Sequence, residues 1–289
     1  MLFVIFAWGG NYTWVKLAVE DGGAWTFNAL RYVFAVLLLG FFLLIRRGPG
    51  GLLPIAGERL ATYVVGFLQI AVMTGGTAFA LQFIDASRTV LIAYSMPLWA
   101  MLLSLFILGE RTTWQMLLGL TLGIGGIAIL GAPWSMDWSS RSTLMGSGIA
   151  LFSTIAWALG SVLYRKRQWR SDFWRQVFGQ LLAGAVCSSA AALVLEDRGT
   201  NFTPTYTAIL LYNAIVPSVL GFWFWARALS RMSVTTASQV LLLSPVFGMV
   251  LSAIVLDETL TLSLLVSAVL ILIGAGLSYY SGAKDTRAK

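Results

Sequence analysis

The chain has 289 residues, of which 58% are hydrophobic and only 11% are charged, and its mean hydropathy is +0.82. Soluble domains carry about 25% charged residues, so this composition excludes a soluble globular protein and indicates a membrane protein. The chain has no histidine and one cysteine, Cys187, which excludes histidine-based metal sites, nucleophile pairs that need histidine, and a disulfide framework. The formal charge of +7 does not call for a nucleic-acid partner, because the basic residues lie mostly at the ends of apolar stretches.

Ten apolar stretches are long enough, at about 20 residues each, to cross a membrane as helices. In chain order they cover residues 2–19, 25–45, 61–83, 88–108, 114–131, 146–164, 174–195, 206–229, 233–256 and 261–281. The sequence therefore predicts an all-α integral membrane protein with ten transmembrane helices.

The second half of the chain repeats the first in outline. Residues 86–97 begin with small residues and run through an apolar stretch to Pro97, and residues 234–245 do the same up to Pro245, 148 positions later. Each copy would contain five helices, and because five is odd, equivalent helices must run in opposite directions. We therefore expect two inverted five-helix repeats, residues 1–131 and 146–289, joined by a linker over residues 132–145.

The distribution of basic residues predicts the orientation. With the N-terminus inside, most of the 19 lysines and arginines fall on the inner side, so both termini are expected in the cytoplasm. Corresponding loops also differ in charge: residues 46–59 carry three arginines, whereas the equivalent loop of the second repeat reads Glu196-Asp197-Arg198. This exchange is what loops on opposite sides of a membrane require.

Aromatic and polar side chains near the middle of these stretches predict a central cavity. Trp8, Asn11 and Tyr12 recur at helical spacing on the first helix, and Trp157 of the sixth helix aligns with Trp8. Polar groups at mid-membrane are costly unless they meet a partner or a water-filled cavity. Hydrogen bonding between helices, or packing in the case of Trp157, is the alternative interpretation. The residues expected to line a substrate cavity are Trp8, Asn11, Tyr12, Phe79, Tyr94, Ser95, Trp157, Ser161, Tyr164, Trp223, Gln239 and Ser244.

Three prolines, Pro97, Pro217 and Pro245, fall near the middle of predicted helices. Each removes a backbone hydrogen bond and frees a carbonyl, so each kinks its helix. A static kink accounts for the pattern, and the matched positions of Pro97 and Pro245 add the hypothesis that they are hinges.

The charged residues lie in loops or near helix ends. No Asp or Glu is clearly at mid-membrane, which weakens the case for a buried-carboxylate proton antiporter and leaves facilitated export open. Glu110 and Asp257-Glu258 are expected to help start the helices that follow them. Arg31 lies about two turns inside the second helix, and we expect it to snorkel or to pair with Glu20 or Asp21 rather than to contact a substrate carboxylate.

Short motifs spread over nearly the whole chain carry a family resemblance. They are Trp8-Gly9-Gly10-Asn11 with Lys16, Asn28-Ala-Leu-Arg31-Tyr32, Ala86-Ser-Arg88, Pro97, Gly109-Glu110-Arg111 and Gly119, followed in the second copy by Pro245, Asp257-Glu258 and Gly274. In these motifs the chain resembles the drug/metabolite transporter superfamily in its ten-helix EamA-type branch. Within that branch it looks most like the bacterial aromatic amino acid exporters. This resemblance implies export of amino acids, and of some cationic toxic compounds, across the bacterial inner membrane.

The sequence thus predicts an inner-membrane exporter of small metabolites that works by alternating access. This transport need not be coupled to an ion gradient. No enzyme activity, cofactor or metal is expected. Its partners would be amino-acid substrates and membrane lipid, and it would be a monomer or a weak homodimer. Two alternatives stay open. A nucleotide-sugar or other metabolite carrier of the same superfamily would need several basic residues inside the cavity. A membrane-embedded lipid-processing enzyme would need a catalytic constellation, and the sequence shows none.

Overall fold

A computed structural model describes residues 1–84, 86–135, 137–196, 199–248 and 262–287, and over these ranges the chain is helical with no β-strand. The helices are α1 (Leu2–Gly9), α2 (Asn11–Asp21), α3 (Ala24–Arg47), α4 (Arg59–Gly66), α5 (Gly76–Ala80), α6 (Ala86–Ala93), α7 (Met96–Leu108), α8 (Trp114–Gly131), α9 (Arg141–Lys166), α10 (Phe173–Leu195), α11 (Pro204–Asn213), α12 (Gly221–Leu229), α13 (Val234–Leu241) and α14 (Leu262–Arg287). Residues 243–248 are also helical. Short 3-10 turns cover Pro49–Gly51, Ala56–Glu58 and Pro133–Ser135.

Over the described part of the chain, six helical stretches are long and apolar enough to cross a membrane: Ala24–Arg47, Pro49–Ala80, Arg88–Leu108, Arg141–Lys166, Phe173–Leu195 and Pro204–Leu229. Three shorter apolar helices cover Trp114–Ile129, Val234–Gly248 and Leu265–Ser281. Large apolar side chains are exposed on the outer faces of the long helices, among them Phe106, which is 81% exposed, and Leu193, which is 85% exposed. An aqueous surface would not favour such side chains, whereas lipid would, so the chain is a multi-pass membrane protein.

Within the described residues, three of the predicted helices are interrupted by one or two residues. The stretch predicted as 2–19 divides at Gly10 into α1 and α2, and the stretch predicted as 88–108 divides at Tyr94 and Ser95 into α6 and α7. Pro97 explains the second interruption, because it has no N–H and is accommodated only in the first turn of the new helix. A similar break at Leu242 separates α13 from residues 243–248, which contain Pro245. Both prolines are buried.

Two segments are π-helical rather than α-helical. Phe67–Gly75 connects α4 to α5, and Ala214–Leu220, which contains Pro217, connects α11 to α12. A π-helical turn shifts the register of a helix and changes which backbone carbonyls are paired within it, and such turns are frequent at functional sites. The first segment provides lining residues of the cavity described below, and the second forms hydrogen bonds to two side chains of that lining.

Small residues allow distant parts of the chain to pack closely. A Cβ added at Gly9 would lie 2.5 Å from the carbonyl oxygen of Ser244, and one added at Gly66 would lie 2.4 Å from that of Gln180. Gly119 of α8 would likewise meet the carbonyl of Gly274 of α14 at 2.5 Å. These contacts are the small-residue packing that membrane helices use where lipid offers no hydrophobic driving force.

The Glu110 side chain does not start the helix that follows it, contrary to the prediction. Thr113 caps α8, whereas the Glu110 carboxylate accepts from the backbone N–H of Val234 at 3.4 Å and from the Thr235 hydroxyl at 3.4 Å. An acid at this N-terminus is favourable because it meets the positive end of the α13 dipole. The equivalent acids at positions 257 and 258 lie outside the described residues.

Candidate substrate cavity

A cavity of about 140 Å³ lies among α1, α2, α3, the first π-helical segment, α5, α6, α7, α9, α12 and α13. This volume is close to that of an engineered cavity, about 150 Å³, that holds a benzene molecule. Among the residues that the structure describes, the lining combines an aromatic wall, several amides and hydroxyls, and a single charged group. Its residues are Trp8, Asn11, Val15, Asn28, Arg31, Gln69, Met73, Thr74, Thr77, Ala78, Leu81, Ala93, Tyr94, Met96, Trp157, Phe222 and Leu241.

The aromatic wall is a cluster of indole rings. Trp8 and Trp157 meet edge to face with their centroids 5.5 Å apart, and Phe222 packs on Trp8 at the same distance. Behind them Trp225, which is buried, stacks on Trp157 at 4.9 Å. Contacts of this geometry add about 0.5–1.5 kcal/mol each beyond area burial, so the wall is rigid and aromatic.

Trp8 is fixed by the second π-helical segment. Its Nε1 donates a hydrogen bond of 2.9 Å to the carbonyl oxygen of Pro217. Gly221, one turn further on, leaves the space that the indole fills, because a Cβ at this position would lie 2.6 Å from Trp8 Nε1. The proline and the glycine together therefore set the position of this indole at the cavity.

Arg31 is the charged residue of the lining, and its side chain is only 5% exposed. Its Nε donates to the hydroxyl of Ser218 at 2.8 Å, and the Ser218 hydroxyl donates in turn to the carbonyl oxygen of Asn213 at 2.7 Å. The guanidinium carbon also lies 4.9 Å from the centre of the Tyr32 ring. Arg31 is thus held from one side by the same segment that holds Trp8.

The prediction that Arg31 snorkels or pairs with Asp21 is wrong, and the side chain of Glu20, the other expected partner, lies outside the described part of the structure. Over the part of the chain that the structure describes, no carboxylate lies within salt-bridge distance of its guanidinium. Asp21, one of the two expected partners, instead accepts from the Thr203 hydroxyl at 2.8 Å. The side chain is turned into the protein, because α11 and the second π-helical segment pack against α3 and Ser218 of that segment bonds to it.

Amides and hydroxyls complete the lining. Asn28 Nδ2 donates to the carbonyl oxygens of Ala24 and Thr74 at 3.1 and 3.3 Å, which fixes the amide. The Thr77 hydroxyl donates to its own helix, to Met73. By contrast, Asn11 Oδ1 is buried and receives no hydrogen bond from any described residue. It is therefore an unsatisfied acceptor at the cavity.

Four of the predicted site residues line this cavity: Trp8, Asn11, Tyr94 and Trp157. Ser161 is buried directly behind it, where it accepts from Nε2 of Gln69 at 2.8 Å. Tyr12 belongs to α2, and its side chain lies outside the described part of the structure.

Phe79 and Ser95 lie outside the cavity wall. Phe79 packs against Trp25, with ring centroids 6.2 Å apart. The Ser95 hydroxyl donates to the carbonyl of Ile92 at 2.6 Å and accepts from Trp99 Nε1 at 3.2 Å, so it satisfies groups at the α6–α7 break.

Tyr164 and Trp223 are also away from the cavity. Tyr164 donates to the side-chain carbonyl of Gln176 and stacks on Trp169 at 5.0 Å. Trp223 stacks on Trp174 at 5.1 Å. Both contacts lie on the sides of α9 and α12 that face α10 and the loop before it.

Gln239 and Ser244 are buried between helices, outside the cavity wall. Gln239 Nε2 donates to the carbonyl of Met116 at 3.3 Å, which connects α13 to α8, and its Oε1 has no partner among the described residues. The carbonyl of Ser244 lies against Gly9, as described above. Within the described ranges its hydroxyl also has no partner.

Sequence reasoning missed the polar residues Asn28, Arg31 and Gln69 of the lining. Asn28 and Arg31 are three residues apart, and Gln69, Met73 and Thr77 recur at intervals of four, so each set shares one helix face. This spacing could have indicated a polar face on each helix. It does not tell which face of each helix meets the cavity, because that depends on how the helices pack.

The comparisons with known proteins agree with this architecture. Residues 1–132 and 144–280 match the model of the EamA-like transporter family. An uncharacterized transporter of Bacillus subtilis, YoaV, is 25% identical over 97% of this chain and 96% of its own length. A probable amino-acid metabolite efflux pump of Escherichia coli is 25% identical over 96% of this chain and 93% of its own. A crystal structure of a protein with 19% identity superposes with a TM-score of 0.81 over 98% of this chain and 96% of that one. The chain therefore belongs to the EamA-like transporter family, and it is a membrane transporter rather than an enzyme.

Proposed function

We propose that this protein exports amino acids, aromatic ones included, across the bacterial inner membrane by alternating access. The observation that carries the proposal is the cavity, where one wall is made of Trp8 and Trp157 and the lining also contains Arg31 and the unsatisfied Asn11 Oδ1. An aromatic amino acid has one apolar ring and two polar groups, which matches this division. The relatives named as amino-acid metabolite efflux pumps in Escherichia coli and Salmonella typhimurium support the same cargo class.

The architecture proposed for this activity is a ten-helix inverted repeat, with repeats over residues 1–131 and 146–289, a linker over 132–145 and both termini in the cytoplasm. Three features support it: the family match in two segments, the π-helical segments at Phe67–Gly75 and Ala214–Leu220, and the proline-associated breaks of α6–α7 and α13. Rocking of one repeat against the other would expose the cavity to each side in turn.

In this proposal the substrate ring stacks on the face of Trp8 or Trp157, and Asn11 Oδ1 accepts a hydrogen bond from the substrate ammonium group. Gln239 and the prolines act indirectly: Gln239 holds α13 against α8, and Pro97, Pro217 and Pro245 are points at which the helices bend. The cationic compounds implied by the resemblance fit less well, because Arg31 puts a positive charge in the wall. A nucleotide sugar would need more than this single cation among the described lining residues.

Uptake of labelled phenylalanine by proteoliposomes containing the purified protein tests the proposal. We expect saturable uptake that needs no pH gradient, since no described lining residue is a carboxylate that could carry the proton. Half-saturation in the high micromolar to millimolar range would correspond to about 4–6 kcal/mol of binding free energy.

Empty liposomes and a nucleotide-sugar competitor are the controls. Uptake only under an imposed pH gradient would contradict the facilitative mechanism and leave the cargo standing. No uptake of any amino acid, in protein that is folded in detergent, would overturn the cargo.

A further inference from the structure

Arg31 is a buried cation whose hydrogen-bonding capacity is mostly unused. A guanidinium has five N–H donors. Of these, the Nε–H is satisfied by Ser218, whereas neither terminal Nη group has a hydrogen-bond acceptor among the described residues. An uncompensated charge within a membrane span is costly, and such residues generally face a partner or a water-filled path. Arg31 lines the cavity, so its partner is expected there.

The guanidinium is held ready for such a partner. Pro217 has no N–H to donate within its helix, and the carbonyl of Asn213, four residues before it, accepts from the Ser218 hydroxyl instead. Because the Ser218 proton is used in that bond, its oxygen is free to accept from Arg31 Nε at 2.8 Å. The Tyr32 ring covers the guanidinium further. Fixing Nε in this way leaves the pair of Nη groups as the available donors.

We propose that Arg31 is the residue that binds the carboxylate of the substrate, with its Nη groups donating to the two carboxylate oxygens. This assignment rests on the proposed function and names the chemical feature that the cavity selects. Planar, charge-assisted pairing with a carboxylate is the geometry for which arginine is better suited than lysine. The positive charge of Arg31 also accounts for discrimination: a compound with an ammonium group but no carboxylate would leave Arg31 unpaired and add a second cation beside it.

Three compounds with the same ring separate the contributions. Phenylalanine has both charged groups, 3-phenylpropionate has the carboxylate alone, and phenylethylamine has the ammonium alone. In competition with labelled phenylalanine, 3-phenylpropionate is expected to inhibit uptake by the wild-type protein and phenylethylamine is not. In Arg31→Gln the half-saturation constant for phenylalanine should rise about ten- to hundredfold, and the difference between the two competitors should disappear.

Two further variants control for structure. Arg46→Gln removes an exposed arginine from the same helix and should transport as the wild type does. Arg31→Lys retains the positive charge but lacks the planar guanidinium that can donate two parallel hydrogen bonds to a carboxylate. It should therefore keep the preference for a carboxylate at reduced affinity. If Arg31→Gln does not fold, thermal unfolding of the wild-type protein in detergent still tests the assignment. Phenylalanine and 3-phenylpropionate should raise its melting temperature, and phenylethylamine should not.

The outcomes distinguish this assignment from the proposed function. If the wild-type protein transports phenylalanine and Arg31→Gln keeps the same half-saturation and the same competitor ranking, the assignment is wrong and the amino-acid cargo stands. If the wild-type protein transports no amino acid but carboxylates still stabilise it and no longer stabilise Arg31→Gln, the cargo is wrong and the carboxylate site stands. Equal stabilisation of the wild-type protein by phenylethylamine and 3-phenylpropionate overturns the assignment in either case.

Discussion

Replacing Gly221 by alanine is expected to displace Trp8 from the cavity wall. The added Cβ would lie 2.6 Å from Trp8 Nε1 and 3.2 Å from Cε2, closer than nonbonded atoms approach. The indole cannot move away freely, because Phe222 and Trp157 pack on it and its Nε1 is bonded to Pro217. The substitution must therefore break that hydrogen bond or shift the helix.

The magnitude follows from the hydrogen bond and the packing that the added methyl group disturbs. A net hydrogen bond contributes about 0.5–1.5 kcal/mol, and forcing a methyl group into a packed site costs about 1–3 kcal/mol. About 1 kcal/mol of this destabilisation is offset, because alanine has a higher helix propensity than glycine. We therefore expect Gly221→Ala to destabilise the protein by about 0.5–3.5 kcal/mol.

Thermal unfolding in detergent and phenylalanine uptake are the two assays. Gly148→Ala is the matched control, since a Cβ at this exposed position of α9 would meet nothing within 4 Å. The control should be as stable as the wild type or slightly more so, with unchanged uptake. If Gly221→Ala unfolds and transports like Gly148→Ala, then the position of Trp8 does not depend on Gly221 and the account of the aromatic wall is refuted.

Two other substitutions test the wall and a helix end. Trp157→Ala should greatly reduce phenylalanine uptake without changing membrane insertion. The control Trp114→Ala removes an indole that is 66% exposed and should leave uptake unchanged. Normal uptake by a well-expressed Trp157→Ala variant would show that Trp157 is not part of the substrate site. Asp172→Ala should lower stability by about 1 kcal/mol, since this carboxylate caps α10 by accepting from the N–H of Trp174 at 3.0 Å. Asp172→Asn, which keeps the cap and loses the exposed ion pair with Arg47, should lie close to the wild type in thermal unfolding. Equal losses in both Asp172 variants would assign the effect to the ion pair instead.

The long apolar stretches could be predicted from the sequence. The stretch predicted as 114–131 coincides with α8, and that predicted as 174–195 differs from α10 by one residue. Composition alone defines such helices, because lipid requires about 20 apolar residues. The breaks within helices were harder to predict: Pro217 marks one π-helical segment, but Phe67–Gly75 contains no proline.

Part of the candidate site could be predicted by comparing the two halves of the sequence with each other. Trp8 and Trp157 align in the proposed repeat, and their rings meet at the cavity. No such internal reference chose between Trp223 and Trp225, which are two residues apart and so point to different sides of α12. The structure places Trp225 in the aromatic cluster and Trp223 against Trp174.

Arg31 shows what the sequence could not supply. A basic residue two turns inside a membrane helix ordinarily extends to the interface, and its position within the span favoured that interpretation. The partner that determines its position, Ser218, is 187 residues away and belongs to a π-helical segment. The burial of this arginine depends on how α11 and the second π-helical segment pack on α3, and helix periodicity does not contain that information.

Photo-crosslinking with para-azidophenylalanine tests the central claim, a substrate site beside the Trp8–Trp157 wall, most directly. The purified protein is irradiated with this substrate analogue, with and without excess phenylalanine, and the modified peptides are identified by mass spectrometry. The account predicts adducts on cavity-lining residues such as Met73 and Trp157, abolished by phenylalanine. Adducts confined to lipid-facing residues such as Phe106 and Leu193, unaffected by phenylalanine, would contradict it.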